Sequence, residues 1–372
     1  MTKTVVLEIA SMQARAGIEM LLMNMLRNFD HEAVQMNFLY SNQKEGPFDQ
    51  EILSYGGEIF RILPTGPSLK KISAHRKGLL KVLREHPEIT TVHIHGNTAV
   101  GCLAARTARK AGIPQVIVHS HNDTCGNLRG KILHIVSKRM IRGQMTRSFC
   151  CSDAAGAWMF GKGTNYTVFQ NAIPLEKYRY SVEIAQQVRA EFGLENCKVI
   201  GHVGRMTQQK NHVFILKVFQ KVYMEHPEAR LLLIGDGKLR EELGQTCKNL
   251  GISQAVIPLR ESDCVERMMQ AMDVFLFPSI WEGLGIVLVE AQAAGLPCVV
   301  SDIIQNEVRV TELVEALSLK EPLEKWAEYV WRLANQFYDR TSNSYIEKLC
   351  NAGYDISEVA AFLQKTYESA VT

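Results

Sequence analysis

Two carboxylates and a helix start share the segment FLFPSIWEGLGIVLVEAQAAGLP, residues 275–297. An apolar strand is expected to end at Pro278 and Ser279, followed by a glycine-containing turn that carries Glu282. A helix then runs from about Gly285 to a stop at Gly295 and Pro297. Glu290, eight residues after Glu282, falls within the second turn of that helix. Gly283 and Gly285 let the backbone approach a ligand, and the first helical amides attract anions. Carboxylates accept hydrogen bonds from sugar hydroxyls, so the combination suits a ligand with both phosphate and polyol parts. A plainer account also stands: one Glu complements the helix dipole and the other sits on a solvated face.

A second segment, IGHVGRMTQQKNHVFILKVF, ends a strand in Gly201 and Gly204 and places Arg205 and Lys210 in a short polar loop before a helix starting near Asn211. A fixed guanidinium and an ammonium at a strand end make a diphosphate clamp, unless they are helix-flanking cations with no ligand. Other phosphate devices are missing. The chain has no GxxxxGK[ST] and no GxGxxG after a strand, its ten Asp form no DxD pair, and its His residues lack HExxH spacing. A bound diphosphate must then be neutralised by protein cations, so neither a metal nor another cofactor is expected.

Elements of the right kind surround these segments. Apolar runs of strand length alternate with amphipathic runs of helix length: VVLEIA, VQMNFLY, EIFRIL, VHIHG, PQVIVHSHN, SFCCSD and YTVFQNAI before Asn171, then KVIGHVG, ARLLLIGDG, AVIPL, VFLFPS and PCVVSD after Ser181. From Pro322 onward the pattern is helical with no further strand. The expected fold is α/β, two doubly wound Rossmann-like domains facing a cleft, with ligands outside the carboxyl ends of the strands. The expected domains are 1–171, 172–352 and a C-terminal helix, 353–372, returning to the first.

The 372 residues are 46% hydrophobic and 22% charged, which excludes disorder, collagen-like repeats and small disulfide scaffolds. Nine cysteines, an odd number without CxxC spacing, and the lack of a signal-peptide layout or spanning run imply the cytoplasm. The net charge of +3 conceals an asymmetry: up to Asn171 there are 21 Lys and Arg against 12 Asp and Glu, and beyond it 21 against 27. A basic half can meet nucleic acid, an anionic membrane or a phosphorylated ligand, or can simply be solvated.

Taken together and in this order, Gly204, Arg205, Lys210 and Asn211, LLLIGDG (231–237), AMDVFLFPS (271–279) and EGLGIVLVEAQAAGLPCVVSD (282–302) closely resemble the family-4 retaining glycosyltransferases of the GT-B fold. EAQAAGLPCVVSD and HSHN are similar to bacterial capsular and exopolysaccharide members. The resemblance implies that Arg205 and Lys210 bind the diphosphate of a nucleotide-sugar donor, commonly a UDP-sugar. It implies that Glu290 holds the ribose hydroxyls, and that Glu282 with the amides of Gly283, Leu284 and Gly285 holds the transferred sugar. Gly17 falls in the loop after the first strand, near donor and acceptor. His119 matches the family histidine near the transferred sugar, with His121 the nearby alternative; the competing reading is that they are core or surface histidines. Two departures are IPLRESD (257–263), which lacks the glycine of the usual base-pocket turn, and ASMQARAGIE (10–19), with one Gly where relatives often have two.

The family implies retention of anomeric configuration by same-face attack, and Glu282 is the nucleophile a double displacement would require. The acceptor is expected to be a glycan, carried on a polyprenyl diphosphate, with no role for nucleic acid. Two basic segments, residues 69–84 and 129–147, can meet an anionic membrane at its inner face, the second through Ile132, Leu133, Val136 and Met140. The same apolar residues can instead pack on the sheet. A sugar-nucleotide 2-epimerase of the GT-B fold and a non-catalytic two-lobed binding protein are the competing functions.

Overall fold

The computed structural model describes the chain except for residues 1–2, 11, 13–16, 63–67, 97, 100, 122–127, 261–263 and 371–372. Both departures noted above lie partly outside the described residues. The chain divides into two compact units, residues 1–173 with 355–372, and residues 174–354.

The first unit is built on a seven-stranded sheet of order β3-β2-β1-β4-β5-β6-β7. Its strands are β1 (Thr4–Ile9), β2 (Val34–Tyr40), β3 (Ile59–Arg61), β4 (Ile89–Gly96), β5 (Gln115–Ser120), β6 (Arg147–Cys150) and β7 (Thr167–Val168). The second has a six-stranded sheet, β10-β9-β8-β11-β12-β13. It comprises β8 (Lys198–Val203), β9 (Ala229–Ile234), β10 (Val256–Leu259), β11 (Val274–Phe277), β12 (Cys298–Ser301) and β13 (Val314–Leu317). The strand pairs are parallel. Helices cover both faces of a parallel sheet, so its strands must be apolar on both sides. Accordingly β1 and β11 are buried at every position.

Two details differ from the sequence reading. β13 extends the second sheet beyond β12, with Val314 opposite Cys298. The helix expected from Gly285 is Val287–Ala293, because Gly285 at φ 74° prolongs the turn, and Glu290 consequently lies in its first turn. The chain crosses back at an isolated parallel bridge between Ile173 and Asp355. Asp355 then caps the helix Ile356–Glu368, its carboxylate accepting from the Ser357 amide at 2.9 Å. That helix packs on the helix Gly17–Asn28 and the adjacent sheet, with Tyr367 edge-on to Phe29 at 5.8 Å.

Candidate functional site

In each sheet the strand order reverses once, between β1 and β4 and between β8 and β11. Loops leaving two such neighbours turn to opposite faces and open a crevice at the carboxyl ends. The loop after β8 holds Gly204, Arg205 and Lys210, and the loop after β11 holds Glu282 to Gly285, so the second sheet brings both motifs to its switch point.

The two loops are tied together. Lys210 Nζ is 2.7 Å from Glu282 Oε1 and 4.7 Å from the centre of the Phe277 ring, while Gln209 Nε2 donates to Glu282 Oε2 at 3.3 Å. Asn211, at φ 58°, donates from Nδ2 to Pro278 O at 3.1 Å, and the Ile280 amide donates to Gln209 O at 2.8 Å. The Lys210 and Glu282 side chains are only 15% and 6% exposed. Desolvating such a pair costs about as much as its attraction returns, so stability alone gives little reason to keep it. Arg205 is exposed and makes no ion pair among the described residues. Gly235, at φ 148°, packs so closely that a Cβ there would lie 2.1 Å from Gly204 O, fixing the β9 loop against the β8 loop.

Leu284 is buried between an exposed Gly283 and Gly285, and none of the three amides donates to a described residue. Glu290 adjoins them in chain order on the short helix. Burial pushes its carboxyl up to about 7; the Tyr178 hydroxyl opposes this, Glu266 adds repulsion, and Lys177 and Lys210 pull it down. The cluster thus offers an exposed guanidinium, an ammonium shared with a carboxylate, uncommitted amides and a second carboxylate that titrates near neutrality. A hollow of about 440 Å³ lined by Tyr180, Arg189, Lys198, Asp273 and Arg340 lies at the starts of β8 and β11, the opposite end of this sheet.

The first unit's switch point has another character. Gly17 opens the helix Gly17–Asn28 rather than lying in a loop, and neither a positive φ nor crowding around a Cβ requires glycine there. His119, which the resemblance puts near the transferred sugar, has no exposed surface, and neither ring nitrogen has a hydrogen-bond partner among the described residues. Its ring packs 4.0 Å from that of His121 and 4.5 Å from that of Phe169. His121 retains 7% exposure.

Register explains the crowding. Glu8 pairs with His93 across β1 and β4, and His95 with His119 across β4 and β5, so these side chains line one face of the sheet. Glu8 Oε1 accepts from the Tyr367 hydroxyl at 3.0 Å and Oε2 lies 2.8 Å from His95 Nε2. Burial would raise the Glu8 carboxyl, but His93 and His95 hold it at about 2. The carboxylate therefore accepts from His95 Nε2–H, leaving His95 Nδ1 to accept from His121 Nε2–H at 2.9 Å. Burial lowers His95 to about 4 and holds His119 and His121 well below the usual histidine range, so these rings are neutral. Nitrogens of His93, His95 and His119 lie within 4.8 Å of one another, a spacing that could gather round a cation, yet both nitrogens of His95 are already engaged. Glu8, His93, His95 and Tyr367 went unremarked in the sequence. The available signal was a lone Glu inside the apolar strand VVLEIA, since a buried charge must find partners.

Two parallel-sheet Rossmann-like domains in one chain are the build of the GT-B fold. Anabaena HepE, solved in complex with UDP-glucose, superposes with a TM-score of 0.77 at 17% identity, covering 98% of this chain and 99% of that one. The family model for glycosyl transferases group 1 matches residues 185–347, which include Gly204 through Glu290. A Bacillus subtilis protein named as the glycosyltransferase EpsF is 33% identical over 372 residues, 97% of this chain and 96% of its own. The chain belongs to the group 1 glycosyltransferases and is a glycosyltransferase. An Escherichia coli relative, UDP-Gal:alpha-D-GlcNAc-diphosphoundecaprenol alpha-1,3-galactosyltransferase, is 26% identical over 243 residues, 62% of each chain. The relatives do not favour a sugar-nucleotide 2-epimerase.

Proposed function

We propose that this chain is a retaining, family-4, metal-independent enzyme that moves a hexosyl group from a UDP-sugar to a glycan on a lipid diphosphate during exopolysaccharide or capsule assembly, at the cytoplasmic face of the membrane. The observation that carries the donor reading is the Lys210–Glu282 pair at the second switch point, with Arg205 beside it in the same loop and Glu290 at the following helix start. Arg205 and Lys210 take the diphosphate; Glu290 accepts from the ribose hydroxyls; Glu282 and the amides of Gly283, Leu284 and Gly285 take the sugar hydroxyls. The family resemblance supports an imidazole of the first unit, His119 or His121, serving the transferred sugar, and of the two only His121 keeps any exposed surface. The names of the E. coli relative and the HepE complex support a uridine donor, and the former a lipid-diphosphate acceptor.

In the reaction the acceptor oxygen attacks the anomeric carbon as the carbon–oxygen bond to the β-phosphate breaks. The departing phosphate oxygen takes the acceptor proton on the same face, giving UDP and a retained linkage. Charge building on the leaving diphosphate is met by Arg205 and Lys210, groups fixed before the reaction begins. Glu282, already bonded to Lys210 and Gln209, is better placed to position these groups than to act as a nucleophile. The test is a thermal-shift panel of nucleotides and nucleotide sugars in EDTA, followed by NMR of the anomeric proton of any product. A selective rise with uridine nucleotides and an α-linked product from an α-linked donor are expected. No shift with any nucleotide, or an inverted product, would contradict the proposal.

A further inference from the structure

Two basic helices of the first unit are oriented in opposite senses. In the helix Ser68–Glu85 the apolar residues Leu79, Val82 and Leu83 are buried while Arg76, Lys77, Lys81 and Arg84 are exposed, the ordinary arrangement. In the helix Leu128–Ile141 the sheet side is His134, Ser137 and Ile141, while Leu128, Ile132, Leu133, Ile135, Val136 and Met140 are 43–74% exposed. Polar contacts hold it this way. His134 accepts from the Ala99 amide at 3.0 Å, donates from Nε2 to Trp158 O at 3.1 Å, and stacks on the Trp158 ring at 4.0 Å and 1°. Lys138 Nζ donates to the carbonyls of Ala157 and Trp158 at 3.1 and 2.6 Å. The face that amphipathicity assigns to the core is therefore the face turned to solvent.

The surrounding charge limits what can cover it. Lys131, Arg139 and Arg142 are exposed around this stripe and make no ion pair among the described residues. The sequence from residue 124 to 152 contains no Asp or Glu. A second copy of the chain would bring two such cationic faces together without a carboxylate to offset them. An anionic bilayer matches both halves of the pattern: acyl chains accept the aliphatic side chains, and headgroup phosphates meet the cations at their edge. Among the described residues no helix is long and apolar enough to cross a membrane, so the contact is one of surface docking.

We infer that the helix Leu128–Ile141 docks the protein on anionic lipid, inserting Ile132, Ile135, Val136 and Met140 into the headgroup boundary. The inference rests on exposure and charge, independently of the donor chemistry.

Sedimentation of the full chain with vesicles of phosphatidylcholine alone, or of phosphatidylcholine with phosphatidylglycerol, tests it at low salt. Three surface cations predict a preference for the anionic vesicles on the order of 100-fold. Lys131→Gln/Arg139→Gln/Arg142→Gln should abolish that preference. Ile132→Ser/Ile135→Ser/Val136→Ser should weaken binding by about tenfold or more, with no loss of thermal stability, since these side chains are outside the core. Equal binding to both vesicles, or undiminished binding by the serine variant, would overturn the inference. So would a marked drop in melting temperature of that variant, which would make the face internal packing. Wild-type dimerisation in light scattering, abolished by the serines, would assign the face to a protein partner and also overturn it. The UDP-induced thermal shift should persist in both variants, so failure of the donor reading is seen separately.

Discussion

The switch points between β8 and β11 and between β1 and β4 occupy the same topological position in two sheets of like order, but they are furnished differently. After β8 and β11, the cation Lys210 and the carboxylate Glu282 sit in loops held by Asn211 and Ile280, with Arg205 open to solvent. Beside β1 and β4, a single carboxylate is sealed under a helix, among His93, His95 and the Tyr367 hydroxyl. Loops beyond the strand ends can keep charges that a ligand will meet. Within the strands, the same charge must be satisfied by the fold itself. The second cluster is thus expected to govern activity and the first to govern stability.

Substitutions should separate the two roles. The largest effect is expected from Glu8→Ala, which leaves Tyr367 and His95 without their buried acceptor and should cost about 3–5 kcal/mol in denaturant unfolding. Lys210→Ala should instead lower kcat by about 100- to 1,000-fold, the usual loss for one fixed electrostatic group, and Lys210→Ala/Glu282→Gln, which leaves no unpaired carboxylate behind, should keep its melting temperature near wild type. Should that double variant unfold the protein while Glu8→Ala leaves it stable, the contrast between the clusters would collapse.

A smaller effect concerns pH. The Glu290 carboxyl is raised from 4.5 to about 7 in the folded protein. Its protonated form is favoured by folding, so its stabilising contribution is full below 4.5 and lost as pH rises through about 7. With Glu290 accepting from the ribose hydroxyls as proposed, binding needs the carboxylate, so donor affinity should rise over that same interval, opposite to stability. Glu290→Gln should flatten both profiles, and Tyr178→Phe, which removes a group that favours the carboxylate, should move the affinity midpoint upward by a fraction of a unit. The smallest expected change is in the stability of Gly17→Ala, within about 0.5 kcal/mol, because nothing crowds that Cβ. A severalfold loss of turnover in the same variant would show that the glycine serves a ligand.

The doubly wound pattern was legible because both faces of a parallel strand are buried, so each strand reads as an apolar run from VVLEIA to PCVVSD. β13 escaped because VEAL is short and half polar, as an edge strand can be. Lys210 and Glu282 were identified from their loops, but their mutual ion pair depends on β8 and β11 being neighbours, which sequence order does not reveal. The Glu8 network joins residues as distant as Tyr367, 359 positions away, through register that no local pattern encodes. Amphipathicity grouped Ile132, Leu133, Val136 and Met140 correctly on one helix, yet could not tell which side the sheet would take. His134 and Lys138 decided that through carbonyls of Ala157 and Trp158.

The most direct question is whether the second switch point holds a nucleotide diphosphate. Calorimetric titration of UDP in the presence of EDTA, into the wild type and into Lys210→Ala, measures this without needing the acceptor. Saturable metal-free binding, weakened by about tenfold or more in Lys210→Ala through loss of a charge-assisted contact, is the predicted result. Binding that requires a divalent metal, or that is the same in both proteins, would contradict it.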